Sequence, residues 1–390
     1  MSHSSDNPKL LFVCLELGQY SEIWMQRQLA GFRRLDPQIL TWRNHLGRDD
    51  ALASKIKCID CASYPAANCV LRRVHKIQRW YERNWYGVIG RERVDIEDYV
   101  RDHSFKVILA HYGFAALRIL PVGLKYKIPI FAHFHGYDLS SGLSEAAYKW
   151  SLLRSLNRFS GLVVVGSHQR KWLLEQGVPA DKVHLIPCGV PTAEFSIKNY
   201  DTVPQAVRFV AVSRLVENKG LDYTLRAFAL VHEKQPESSL HIYGDGPKKQ
   251  MLIDLVNELG LGQHVFFYGA VSTEVVRQAL HTADIFVQHS HRDSVGSHEG
   301  FGVTLAEAAS VGLPVVATRC GGILDQVVEG VTGLLVDQRD FRAMAGKMLE
   351  LAENSDLRHT MGLAGRARMV EWFDTQKQIE KLENLLVSAI

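Results

Sequence analysis

Glu299 and Glu307 bracket a glycine-flanked turn, Gly300-Phe301-Gly302-Val303, and the second glutamate falls inside a run of small and apolar residues that reads as a helix. A helix start of this kind leaves backbone N–H groups unpaired and presents the positive end of the helix dipole, a combination that suits an anion. The amides of Phe301, Gly302 and Val303 are therefore candidates for cradling a diphosphate. A carboxylate is a poor phosphate ligand but a strong acceptor from vicinal hydroxyls. Two carboxylates around an anion pocket suit a ligand with a phosphate centre and polyhydroxylated ends, and a nucleotide sugar has that form. The competing reading is an ordinary strand–helix–strand unit with solvated glutamates. Upstream, Arg214 and Lys219 follow a short apolar run. They are either a solvated surface pair or two cations placed to stabilise charge developing on a departing phosphate. A fork-shaped guanidinium and a mobile ammonium are not redundant in that second role.

The elements that must position these residues alternate between short β-branched runs and longer amphipathic ones, which argues for an α/β class with parallel sheets. Strands are expected at Leu10–Leu15, Val107–Ala110, Ile130–His133, Leu162–Val165 and Val183–Ile186. A second set is expected at Phe209–Ser213, Leu240–Tyr243, Val265–Tyr268, Ile285–Gln288, Val315–Thr318 and Leu334–Val336. Pro187 to Gln205, rich in Pro, Gly and polar residues, reads as a linker between two doubly wound domains. In such sheets ligands bind beyond the carboxyl ends of the strands, where most of the singled-out residues fall.

Glu299-Gly300-Phe301-Gly302, Glu307-Ala308, Gly312 and Pro314 to Ala317 resemble the E-x7-E signature of the retaining glycosyltransferases of family 4. The likeness runs on through Val212 to Leu215, Lys219-Gly220, Gly244 to Pro247, Gly321-Gly322 and Thr332 to Val336, covering most of 205–340 in order. It implies the GT-B fold, two Rossmann-like domains facing across a cleft. The expected division is 1–195 for an acceptor-binding domain and 196–370 for a nucleotide-sugar-binding domain, with a helix at 371–390 that crosses back to the first. The resemblance also implies roles. Glu307 accepts from the ribose and Glu299 from a hydroxyl of the transferred sugar, while Arg214 and Lys219 hold the phosphates with the 300–303 turn. His135, directly before Gly136, reaches the donor sugar, and His133 is expected on the opposite side of its strand. Gly18 lets backbone approach the phosphate, and Ser21 is expected to cap the following helix. The donor is a UDP-hexose in preference to a GDP-sugar, and the acceptor is a glycan or a lipid-linked glycan. No cofactor and no metal are expected. Three departures from the family pattern stand out: Gly18 without a paired glycine, Cys188 in place of an asparagine, and Asp325 in place of a glutamate, whose role stays open. Asp138 is left with two readings, orienting its loop or the acceptor.

The chain has 390 residues, 46% hydrophobic and 22% charged with a net charge of +3, so it is not built throughout as a polyanion binder, and nucleic acid is not an expected partner. No apolar run is long enough to span a bilayer and the polar start lacks a signal-like core, so a cytoplasmic location is expected. Cys58, Cys61, Cys69 and His75 lack the second ligand pair of a zinc site. Residues 72–93 interleave Arg72, Arg73, Lys76, Arg79, Arg83, Arg91 and Arg93 with Trp80, Tyr81, Trp85 and Tyr86. This segment is read either as a surface docking on anionic membrane or as a solvated helix with its aromatics in the core. Other activities weighed are a dinucleotide oxidoreductase on Gly244-Asp245-Gly246, a phosphorylase or epimerase on the same frame, and a non-catalytic sugar-nucleotide binder. The first lacks the third fingerprint glycine.

Overall fold

Short apolar runs become buried parallel strands, as they must where helices cover both faces of a sheet. The computed structural model describes residues 7–18, 22–47, 50–59, 69–200 and 206–390. The chain forms two units, one of Met1–Pro187 with Gln376–Ile390 and the other of Cys188–Thr375. The expected boundaries lay at 195/196 and 370/371.

The first unit holds β1 (Lys9–Leu17), β2 (Asp36–Asn44), β3 (Ile56–Cys58), β4 (Val107–His111), β5 (Ile130–Phe134), β6 (Gly161–Val164) and β7 (Val183–Leu185). All pairs are parallel, in the order β3-β2-β1-β4-β5-β6-β7. Its core sets Leu11, Val13, Ile108, Ala110 and Ala132 against Ala116, Leu117 and Leu120 of the helix Gly113–Tyr126. Neither β2 nor β3 is among the expected strands. β2 carries Asp36, Pro37, Gln38, Arg43 and Asn44 and is only partly buried, and β3 is three residues long.

The second unit holds β8 (Arg208–Val212), β9 (Ser239–Tyr243), β10 (Val265–Phe267), β11 (Ile285–Gln288), β12 (Val315–Thr318) and β13 (Gly333–Val336), in the order β10-β9-β8-β11-β12-β13, again all parallel. Every strand expected here is present. In both sheets the strand order reverses beside the first strand, and the crevice at such a reversal is where open α/β sheets take ligands. The reversal lies between β1 and β4 in one unit and between β8 and β11 in the other.

One expectation needs correcting. The described part of the supposed linker is packed into the second unit: Val190 and Phe195 are fully buried, and Arg366 Nη1 donates to the carbonyls of Thr192, Phe195 and Ser310. Residues 201–205 lie outside the described residues, as does Ser21. The helix Thr375–Val387 belongs almost entirely to the first unit, where Glu383 Oε1 accepts from the amides of Arg33, Arg34 and Leu35 at 2.8, 2.7 and 3.2 Å.

Candidate active site

At the reversal in the second sheet, the loop after β8 carries Arg214 and is zipped to the loop after β9. Ser213 N–H donates to Tyr243 O at 3.0 Å, Leu215 N–H to Asp245 O at 2.9 Å, and Lys248 N–H to Leu215 O at 3.0 Å. A side chain at Gly244 or Gly246 would overlap the carbonyls of Ser213 or Leu215. The two glycines read as a dinucleotide fingerprint fragment are thus the seat of the Arg214 loop. Arg214 itself is exposed and makes no ion pair with the described residues.

Lys219 ends a short turn, Glu217–Lys219, and Gly220 then opens the helix Leu221–His232 in the left-handed region. Lys219 Nζ lies 2.5 Å from Glu299 Oε2. The same oxygen accepts from Gln288 Nε2 at 2.7 Å and Ser290 Oγ at 3.3 Å. Burial pulls the Glu299 carboxyl upward, but the Lys219 charge and the three hydrogen bonds outweigh it and hold the group below the usual carboxylate range. Glu299 is therefore an ionised acceptor rather than a proton donor. Gln288 and Ser290 were not singled out from sequence. Their only signal was their place at the carboxyl end of the expected strand 285–288.

The helix Val303–Ser310 starts at Gly302, with φ +85° and no side-chain cap, so its first-turn amides have no capping partner. Thr304 Oγ1 ties this turn to Val212 O at 2.9 Å, and Gln326 Nε2 holds the Phe301 carbonyl. Gly321 and Gly322 pack so closely beneath the 299–301 turn that a methyl on either would overlap the carbonyls of Glu299 or Gly300. Glu307 is buried on the helix above. Arg214, Lys219, Glu299, Gly300 to Val303 and Glu307 thus all belong to elements at one sheet reversal. Asp325 sits on the short helix Ile323–Gln326, and its carbonyl accepts from Arg368 Nη2 at 2.6 Å.

Residues 194–368 match the family model described as glycosyl transferases group 1, and residues 53–194 match that of glycosyltransferase family 4. The chain belongs to glycosyltransferase family 4. Among its relatives, the amylovoran biosynthesis glycosyltransferase AmsK of Erwinia amylovora is 28% identical over 285 residues, 72% of this chain and 69% of that protein. A GDP-mannose-dependent alpha-(1-6)-phosphatidylinositol monomannoside mannosyltransferase of Mycobacterium tuberculosis is 30% identical over 257 residues, 63% of this chain and 65% of that protein. Anabaena HepE, solved in complex with UDP, superimposes with a TM-score of 0.78 at 18% identity, covering 97% of this chain and all of that one. The fold is GT-B.

In the first unit Gly18 follows β1 with φ +92°, and a methyl there would crowd Leu46. His135 follows β5, but it does not stand alone. Its Nε2 lies 3.0 Å from Nδ1 of His111, and its ring centroid is 4.2 Å from that of His133. The expectation that His133 faces the other side is wrong, because residues two apart on a strand share a face. Trp24 packs 4.0 Å from the His135 ring. Burial pushes His133 down to about 3 and His111 and His135 well below the ordinary histidine value, so all three imidazoles are neutral. His111 was missed from sequence, although it directly follows the expected strand 107–110. Asp138 is buried and ties the loop. Its Oδ1 accepts from the His135 and Gly136 amides and its Oδ2 from Gly113 N–H, all at 3.0 Å.

The basic, aromatic segment divides. Trp85 packs on Trp150, and Tyr86 on Phe114 and Tyr148, while Trp80 and Tyr81 are 66% and 81% exposed. Along the helix Cys69–Tyr81, Val70, Val74, Ile77 and Tyr81 fall on one exposed stripe, whereas Arg79 on the opposite side is partly buried. Cys58 is exposed, and Cys61 and the Cys69 side chain lie outside the described residues. Among the described residues no helix is long and apolar enough to cross a membrane.

Proposed function

We propose that this chain transfers a hexose from a nucleotide diphospho-sugar to a glycan or lipid-linked acceptor in bacterial cell-surface polysaccharide assembly, with retention at the anomeric carbon. The observation that carries this reading is the joining of Lys219 to Glu299 beside an uncapped helix start at a sheet reversal. A cation and main-chain amides there suit a diphosphate, and an ionised carboxylate beside them suits a sugar hydroxyl. In the reaction the acceptor oxygen bonds to the anomeric carbon, the bond to the phosphate oxygen breaks, and the departing phosphate takes the acceptor's proton. Lys219 and Arg214 stabilise the charge that develops on that phosphate, so no divalent ion is required at the diphosphate. The roles expected for His135 and Gly18 are not needed by this reading, which rests on the second unit.

A UDP-hexose is the favoured donor because HepE is solved with UDP and with UDP-glucose. The mycobacterial relative is named for GDP-mannose, so the choice belongs to experiment. A panel of UDP- and GDP-sugars is scored by thermal shift and by transfer to glycan acceptors, with product anomers read by NMR. A productive nucleotide at a hundredfold over its Kd adds about 2.7 kcal/mol of stability. Its affinity is expected to be unchanged by EDTA. Glu307→Ala is expected to weaken donor binding, and Lys219→Ala to lower turnover more than donor affinity. If no nucleotide diphosphate or its sugar shifts the melting temperature, the reading fails.

The exposed stripe Val70, Val74, Ile77 and Tyr81, with Arg72, Arg73 and Lys76 also exposed on the same helix, supports docking on an anionic bilayer. Flotation with phosphatidylglycerol vesicles tests it. Ile77→Glu is expected to abolish co-flotation while leaving transfer to a soluble acceptor intact. Equal recovery with neutral phosphatidylcholine would remove the basic residues from the account.

A further inference from the structure

At the carboxyl ends of β4 and β5 three imidazoles converge. One ring nitrogen from each of His111, His133 and His135 lies within 4.8 Å of the others. His111 and His133 are wholly buried. The Ile186 main chain approaches His133, yet neither of its ring nitrogens meets a partner in hydrogen-bonding geometry, and His111 Nε2 is likewise unpartnered. Leaving buried polar atoms unpaired is costly, and a native core normally supplies a partner. The three rings are also in the neutral state that ligates metals. The three rings are clustered, and the unpartnered nitrogens of His111 and His133 lie beside the hydrogen bond that joins His111 Nδ1 to His135 Nε2.

We infer that His111, His133 and His135 form a binding site for one transition-metal ion of the zinc class. The donor set selects the class. Imidazole suits Zn, Cu, Fe and Ni, whereas Mg, Ca and Mn prefer the oxygen donors that this trio lacks. Zn–N distances of about 2.0–2.1 Å place nitrogens on a tetrahedral ion roughly 3.3 Å apart. The 3.0 Å between His111 Nδ1 and His135 Nε2 already approaches that spacing, so the His133 ring supplies most of the adjustment. Three protein ligands leave a fourth position open for water or another small donor. The site lies wholly in the first unit and does not rest on the donor chemistry proposed for the second.

The untagged full-length chain, stripped with a chelator and dialysed, is titrated with Co²⁺ and then Zn²⁺. One equivalent of Co²⁺ is expected to bind with visible d–d absorption and no thiolate charge-transfer band, to raise the melting temperature, and to be displaced by Zn²⁺. His133→Ala is expected to weaken binding by more than the roughly 10–100-fold that outer-shell changes cost, and His281→Ala to leave it unchanged. Circular dichroism of the metal-free variants separates lost ligation from lost folding. The wild-type stoichiometry alone decides the matter if His133→Ala does not fold. Absence of stoichiometric binding by the wild-type chain overturns the proposal. So does a thiolate band that disappears in Cys58→Ser, which would place the ion on the cysteines instead. The absorption readout is independent of transferase activity, so the site and the proposed function stand or fall separately.

Discussion

A methyl on Gly322 would collide with the Gly300 carbonyl, although the backbone there has an ordinary φ of −67°. Gly302 is the reverse case: its φ is +85°, but a methyl would find no atom closer than 3.6 Å. Gly322→Ala is therefore expected to cost about 1–3 kcal/mol through overpacking and to displace the Phe301 turn. Gly302→Ala is expected to cost about 1–2 kcal/mol through backbone conformation alone. Urea denaturation with nucleotide titration distinguishes them, because only Gly322→Ala should weaken the ligand more than it weakens the fold. The residues of this cradle were legible in the sequence because each is a chemical type at fixed spacing within one strand–helix–strand unit. Their mutual contacts were not. The Lys219–Glu299 pair joins residues far apart in the chain, and the His111 cluster depends on which strands become neighbours.

Strands buried on both faces announce themselves as continuous apolar runs, which is why the second sheet was readable in full. β2 did not, since Asp36, Gln38, Arg43 and Asn44 interrupt its apolar run one strand in from the sheet edge. The terminal helix was implied by the family resemblance, but its anchor was not. A single carboxylate, Glu383, serves three successive backbone amides at Arg33, Arg34 and Leu35. Its loss leaves donors without an acceptor, at about 1–3 kcal/mol for a buried group. Glu383→Ala is expected to destabilise the chain by at least about 2 kcal/mol and to open the last helix to limited proteolysis. Glu383→Gln, which keeps an acceptor oxygen, should recover most of that loss. Equal behaviour of the two variants in urea melts would show that charge, not acceptance, holds the helix.

For the molecule as a whole, buried histidines set a lower pH limit. His289 is pushed down to about 4, first by burial and then by neighbouring His291, and His241 to about 4 by burial and Arg208. The neutral form of His289 is fixed by its contacts, since Nε2 accepts from Arg339 N–H at 2.8 Å. A depressed folded value means that the unfolded chain binds more protons. The stabilisation is thus complete above about pH 6.5 and lost as pH falls toward 4, with a slope of at most about 1.4 kcal/mol per pH unit for each histidine. Hydrogen exchange in β8–β13 is expected to speed up between pH 7 and 5 after correction for intrinsic rates, and His289→Gln to blunt the change. No change across that range would mean these rings already carry protons in the native state. One further consequence follows from the terminal helix lying on the first unit. The amides of residues 33–35 wait for Glu383 until all of Cys188–Thr375 has been made. At roughly 5–20 residues per second the 350 residues between Arg33 and Glu383 take on the order of 20–70 s. The nascent first unit is therefore exposed to chaperones and proteases without its closing helix while the whole of the second unit is being made.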